Sequence, residues 1–154
     1  MMNKILTIAV LTALTPVLVL ADGMHDDEAM AYGEPGTAVQ VNRVINVQAA
    51  DNMRYTPAAI TVRRGETIEF VVKNTGKLAH EFVLGDAKEL KEHAALMRRY
   101  PNMEHDDPNM AKLTPGGTAN LIWKFTRAGT VEFACLVPGH YEAGMKGHIR
   151  VNTK

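Results

Sequence analysis

From Val39 onward the chain reads as a series of short strands. Val39, Val41, Val44, Ile45 and Val47 make a β-rich run with an irregularity at Asn42-Arg43, and Asp51-Asn52 follows as a turn signal. Tyr55-Thr56-Pro57 leads into Ile60-Thr61-Val62, and Arg64-Gly65 turns the chain. Thr67 to Lys73 alternates, with Ile68, Phe70 and Val72 on one face. Asn74-Thr75-Gly76 ends that strand, and His80, Phe82 and Leu84 share a face of the next, because strand side chains repeat every second residue.

The rhythm then changes. Ala87 to Arg99 predicts a helix, with Leu90, Ala94 and Met97 at helical spacing and Pro101 ending it. Residues 102–110 are polar and loop-like, so the stretch from about 86 to 112 reads as a partly helical insertion. Strands resume after Thr114-Pro115-Gly116-Gly117. Leu121, Trp123 and Phe125 alternate with Asn120, Ile122 and Lys124, and Ala128-Gly129 turns the chain. Val131, Phe133 and Cys135 then share a face, which points Cys135 into the core at the end of its strand. Residues 147–151 form the last strand. Seven or so short strands separated by turn signals predict an all-β sandwich, with the domain spanning 39–154.

The N-terminal region differs in kind. Residues 1–21 read as a secretory signal: Lys4 supplies a positive charge, Ile5 to Leu20 an apolar run, and Val19-Leu20-Ala21 a small-residue cleavage site. A membrane anchor is the competing interpretation, but the run carries Thr7, Thr12, Thr15 and Pro16 and falls short of the roughly 18 apolar residues of a spanning helix. No later segment is apolar and long enough to span a bilayer, so a periplasmic mature protein starting at Asp22 is expected. Residues 22–38 are acidic, rich in small residues, and carry Gly and Pro, which predicts a flexible arm.

The whole chain has 17 bases and 17 acids. Cleavage would remove Lys4 and no acid. A near-neutral chain without a clustered basic surface argues against nucleic acid as a partner. The single Cys135 excludes an internal disulfide, leaving the core, and a metal if one binds, to hold the domain.

The chemistry concentrates in Cys135-x4-His140-x4-Met145, on a loop where Pro138 fixes φ and Gly139 and Gly144 allow tight bends. Thiolate, imidazole and thioether are the ligands copper takes in electron-transfer sites, where two His and one Cys surround the metal and a Met stands at long axial distance. His80 opens one strand as Cys135 closes another, so both can reach one end of the sandwich. Zinc would take His and Cys but has little use for a thioether.

These residues carry a resemblance. Cys135-x-x-Pro138-Gly139-His140-x-x-x-Gly144-Met145 is similar to the ligand loop of rusticyanin-like cupredoxins, the blue copper proteins, and Val62-x-x-Gly65-x-x-Ile68-x-Phe70 resembles the strand before their first ligand His. The resemblance covers about 39–151 apart from the insertion. It implies a Greek-key β-sandwich and a type-1 copper held by His80, Cys135, His140 and Met145, with Phe82, Phe133 and Val137 keeping water away. Glu81 stands where many members of the family have Asn, which implies different hydrogen bonding near the sulfur.

Outside this loop, Met24, His25 and Met30 in the arm and His93, Met97, Met103, His105 and Met110 in the insertion are candidate ligands for further copper. The competing interpretation is a solvated arm and a helix packed by Met97, with ordinary loop residues beside it. The extra Met and His content resembles periplasmic cupredoxins associated with copper tolerance. The alternative function is a one-electron carrier, with a redox partner docking near His140. Neither needs an enzyme: the chain has no His-x-His pair for a multinuclear copper centre.

Overall fold

In a computed structural model, residues 30–153 are described. The signal segment, Met24 and His25 lie outside them. The predicted sandwich is present as two five-stranded sheets. The first contains β1 (Glu34–Pro35), β2 (Arg43–Ala50), β3 (Arg54–Thr56), β5 (Thr67–Asn74) and β8 (Thr118–Lys124); the second contains β4 (Ala59–Arg63), β6 (His80–Gly85), β7 (Met110–Leu113), β9 (Gly129–Ala134) and β10 (Lys146–Asn152). Spatial order is β1-β8-β5-β2-β3 in one and β4-β10-β9-β6-β7 in the other. The β2–β5 and β4–β10 pairs are parallel, so the chain crosses between sheets rather than meandering within one.

Alternation explains the packing. Ile68, Phe70 and Val72 from β5 face Phe82 and Leu84 from β6 across the core, with Trp123, Phe125 and Phe133 filling the layer. Phe70, Phe82, Phe133 and Tyr55 form a continuous aromatic group, with centroids 4.9 to 5.7 Å apart. Each such ring contributes about 1.5–3 kcal/mol by burial.

The predicted helix is α1 (Ala87–Arg99). Asp86 caps it: its carboxylate accepts the backbone N–H groups of Lys88 and Glu89, both at 2.8 Å, while the Glu89 side chain takes the Asp86 N–H. Leu90, Ala94 and Met97 face inward and pack with Val83, Met110, Ala134 and Leu136, a satellite cluster on the outer face of the second sheet.

Three expectations change. Val39 is not in a strand. Residues Ala38–Gln40 form a 3-10 turn, and Val39 is 95% exposed. The chain joins the sheet only after Asn42, which accepts the Thr67 N–H through its side chain and donates its own N–H to the Thr67 carbonyl. The arm predicted over 22–38 is built into the sandwich from Met30 onward. Tyr32 is buried, stacks on Trp123 at 5.7 Å and takes a hydrogen bond from Asn109, while β1 pairs with β8. One large aromatic outweighs an otherwise disorder-like composition. The insertion also ends earlier than expected: residues from Met110 pair as β7 with His80 to Val83.

Candidate metal centre

Register brings the distant residues together. In the β6–β9 pair Val83 lies opposite Ala134, so the residue after β9 sits beside the start of β6. That places Cys135 against His80. In the β9–β10 pair Lys146 lies opposite Ala134, which returns the 136–145 loop to its starting point. The Cys135 N–H donates to the Met145 carbonyl and the Met145 N–H to the His140 carbonyl, each at 3.0 Å. Gly139 and Gly144 have φ of +87° and +94°, conformations that L side chains rarely adopt.

The three nitrogen and sulfur donors face one another. His80 Nδ1 and His140 Nδ1 are 3.2 Å apart, and Cys135 Sγ lies 3.3 Å from the second and 4.0 Å from the first. A triangle with these sides encloses a point about 2 Å from each corner, the reach of a transition-metal bond to nitrogen or sulfur. The donor set therefore fits a copper-sized ion. Met145, fully buried, lies in the same core cluster as Cys135.

The surroundings hold these atoms in place. His80 is 1% exposed, and its Nε2 lies 3.1 Å from Asp51 Oδ1. Asp51 is itself fixed by the backbone N–H groups of Lys77 and Leu78 at 2.7 and 3.3 Å. These N–H groups, with the His80 ring, hold the Asp51 carboxyl below its usual range. With Nε2–H donated to a carboxylate, His80 presents its Nδ1 lone pair to the sulfur and to His140. Asp51 is a residue the sequence reveals only as a turn former; nothing at that distance along the chain marks it as the partner of His80.

Cys135 accepts the Glu81 N–H at 3.3 Å, so the backbone supplies a hydrogen bond to sulfur despite the Glu at that position. Burial raises the Glu81 carboxyl, and His105 and Lys112 offset part of the rise. The Tyr55 hydroxyl donates to the Glu81 carbonyl, tying β3 to β6. Arg54 donates to the Ala143 carbonyl at 2.9 Å and holds the far side of the loop. Burial pushes the Cys135 thiol up to about 12 and lowers His140, which His80 lowers further. Phe82 and Phe133 are fully buried and Val137 partly so, while His140 is half-buried at the rim.

The other candidate ligands scatter. Met97 and Met110 are buried in the cluster under α1, and Met103 faces outward. Met30 Sδ lies 2.9 Å from the Tyr32 hydroxyl. His93 and His105 do meet, together with Asp107. Helix α1 also touches the loop: Arg98 pairs with Glu142 at 3.2 Å.

Comparison with known proteins places this architecture. The auracyanin of Roseiflexus castenholzii, reduced with dithionite, superposes with a TM-score of 0.63 at 25% identity, covering 73% of this chain and 98% of its own. An azurin of Methylomonas sp. strain J shares the fold, with a TM-score of 0.57 at 18% identity over 73% of this chain and 99% of that one. The copper-resistant cuproprotein CopI of Rubrivivax gelatinosus is 45% identical over 164 residues, covering 98% of this chain and 99% of its own length. CopI of Pseudomonas aeruginosa is 41% identical, covering 79% and 82%. The family model of copper binding proteins, plastocyanin/azurin family, matches residues 41–152, and with the strand order and donor cluster described above it establishes that the chain belongs to that family.

Proposed function

We propose that this protein is an exported copper-binding cupredoxin with a type-1 site, serving copper tolerance by binding or redox handling of the metal. The observation that carries the proposal is the convergence of His80, Cys135 and His140 on one point at the end of the sandwich. With Met145 they are the proposed ligands. The relatives at 40 to 45% identity, each called a copper-resistant cuproprotein, support tolerance over a plain electron shuttle.

Bound copper would supply one-electron chemistry between its cuprous and cupric states. The chain supplies the rest. Asp51 orients His80, the Glu81 N–H faces the negative charge of the thiolate, and the Phe82 and Phe133 rings exclude water. Because burial keeps the thiol protonated, metal must displace its proton, and acid therefore opposes binding. His140, half-buried at the rim, is the route by which an electron would enter or leave, and the place where a redox partner would dock. The role requires no catalysis. Export rests on the leader at 1–21, outside the described residues, and among the described residues no helix is long and apolar enough to cross a membrane.

The test is the visible spectrum and copper count of the mature protein beside Cys135→Ala. The native protein is expected to show an intense thiolate-to-copper absorption that the variant lacks. Native protein that binds copper without that band would overturn the ligand assignment. An electron shuttle would use the same ligands but saturate at one copper, so the count separates the two roles.

A further inference from the structure

A second group of ligating side chains lies in the insertion. His93 stands in the middle of α1, and His105 and Asp107 lie in the loop leading to β7. One donor atom from each lies within 4.8 Å of the other two. The imidazole rings are 4.6 Å apart, and His105 Nδ1 is 3.1 Å from Asp107 Oδ2.

Two buried atoms nearby lack partners. With Nδ1 engaged by Asp107, His105 Nε2 is buried and meets no hydrogen-bond partner among the described residues; the same is true of Glu81 Oε2. Glu81 lies close enough to His105 for the imidazole to act on its charge. Leaving a buried polar atom bare in this way is unfavourable. A cation bound between His93, His105 and Asp107 would give the bare His105 Nε2 lone pair a partner.

The donors also say which ion. Two imidazoles and a carboxylate are borderline to hard ligands and favour divalent ions, among which Cu(II) binds most tightly. The thioethers that would favour Cu(I) are elsewhere: Met97 and Met110 pack inside the cluster beneath α1. We infer that His93, His105 and Asp107 form a second metal site, selective for Cu(II) over Cu(I), beside the Cys135 centre and independent of its ligands. Glu81 lies between the two regions: its backbone N–H donates to Cys135 Sγ, and the charges of His105 and Lys112 act on its carboxylate.

The test uses the full mature chain. Cys135→Ala titrated with Cu(II) is expected to retain a copper ion with an ordinary, wide-hyperfine cupric resonance showing nitrogen ligation. Adding His93→Asn or His105→Asn should abolish it. In the otherwise native chain the same two substitutions should lower the copper count by one and leave the intense thiolate absorption unchanged, which also shows that the variants fold. The inference is overturned if Cys135→Ala binds no Cu(II), if its Cu(II) is indifferent to both His substitutions, or if those residues retain Cu(I) in preference to Cu(II).

Discussion

The two clusters of ligating side chains contrast in how they are held. His80, Cys135 and Met145 are anchored at the ends of paired strands, and all three are almost wholly buried. Their positions follow from ladder register and from an aromatic core that cannot shift without losing contacts. His93, His105 and Asp107 sit on a helix and a loop laid over the outer face of the second sheet, half-buried or exposed. The first cluster is soft, containing sulfur; the second offers nitrogen and oxygen. A rigid, dry, sulfur-containing centre suits a metal that changes oxidation state in place, whereas a shallower cluster of harder donors suits an ion that exchanges with solvent.

Phe82→Ala probes the claim that the first cluster rests on the core. Phe82 is fully buried between Phe70 and Phe133, at 5.3 and 4.9 Å. Its truncation is expected to cost about 3–5 kcal/mol in denaturant unfolding of the metal-free protein. A cost below 1 kcal/mol, on the same scale, would break the comparison. Asp51→Ala sharpens it at the level of one hydrogen bond. Freed from the carboxylate, His80 should lose its fixed orientation, and copper affinity at the first cluster should fall about 10–100-fold in chelator competition. Copper held by the insertion should be untouched. Asp86→Ala has the smallest expected effect: loss of the α1 cap should destabilise the helix by about 1 kcal/mol, read by amide exchange in Ala87–Arg99, without moving the thiolate absorption. A shift of that band would mean that the helix supports the first cluster through Arg98 and Glu142.

Much of the sandwich was legible from alternation. Ile68, Phe70 and Val72 in Thr67–Asn74 and Leu121 and Trp123 in Thr118–Lys124 are buried at every second position, whereas Phe82 to Gly85 are buried in succession because α1 covers the other face of that strand at Val83, and the span of α1 matches its helical pattern and cap. Val39 misled because exposure is not encoded in its identity, and Tyr32 was missed because a lone aromatic in a polar segment signals burial only when Trp123 is there to stack on. Of the four proposed ligands, the three in the loop stand out by spacing alone.

What the sequence determined by itself was local: strand period, helix cap, turn glycines, and a loop whose Cys, His and Met recur at fixed intervals. It also limited the donors to the residue types that copper accepts. What the tertiary structure decided was adjacency. The Val83–Ala134 register set Cys135 beside His80, the Asp51 turn became the carboxylate that orients that imidazole, and the helical insertion brought His93 and His105 together while burying Met97 and Met110 in packing. The reason is physical: periodicity is a property of neighbours along the chain, whereas a metal site depends on distances between residues brought together by strand pairing and core packing.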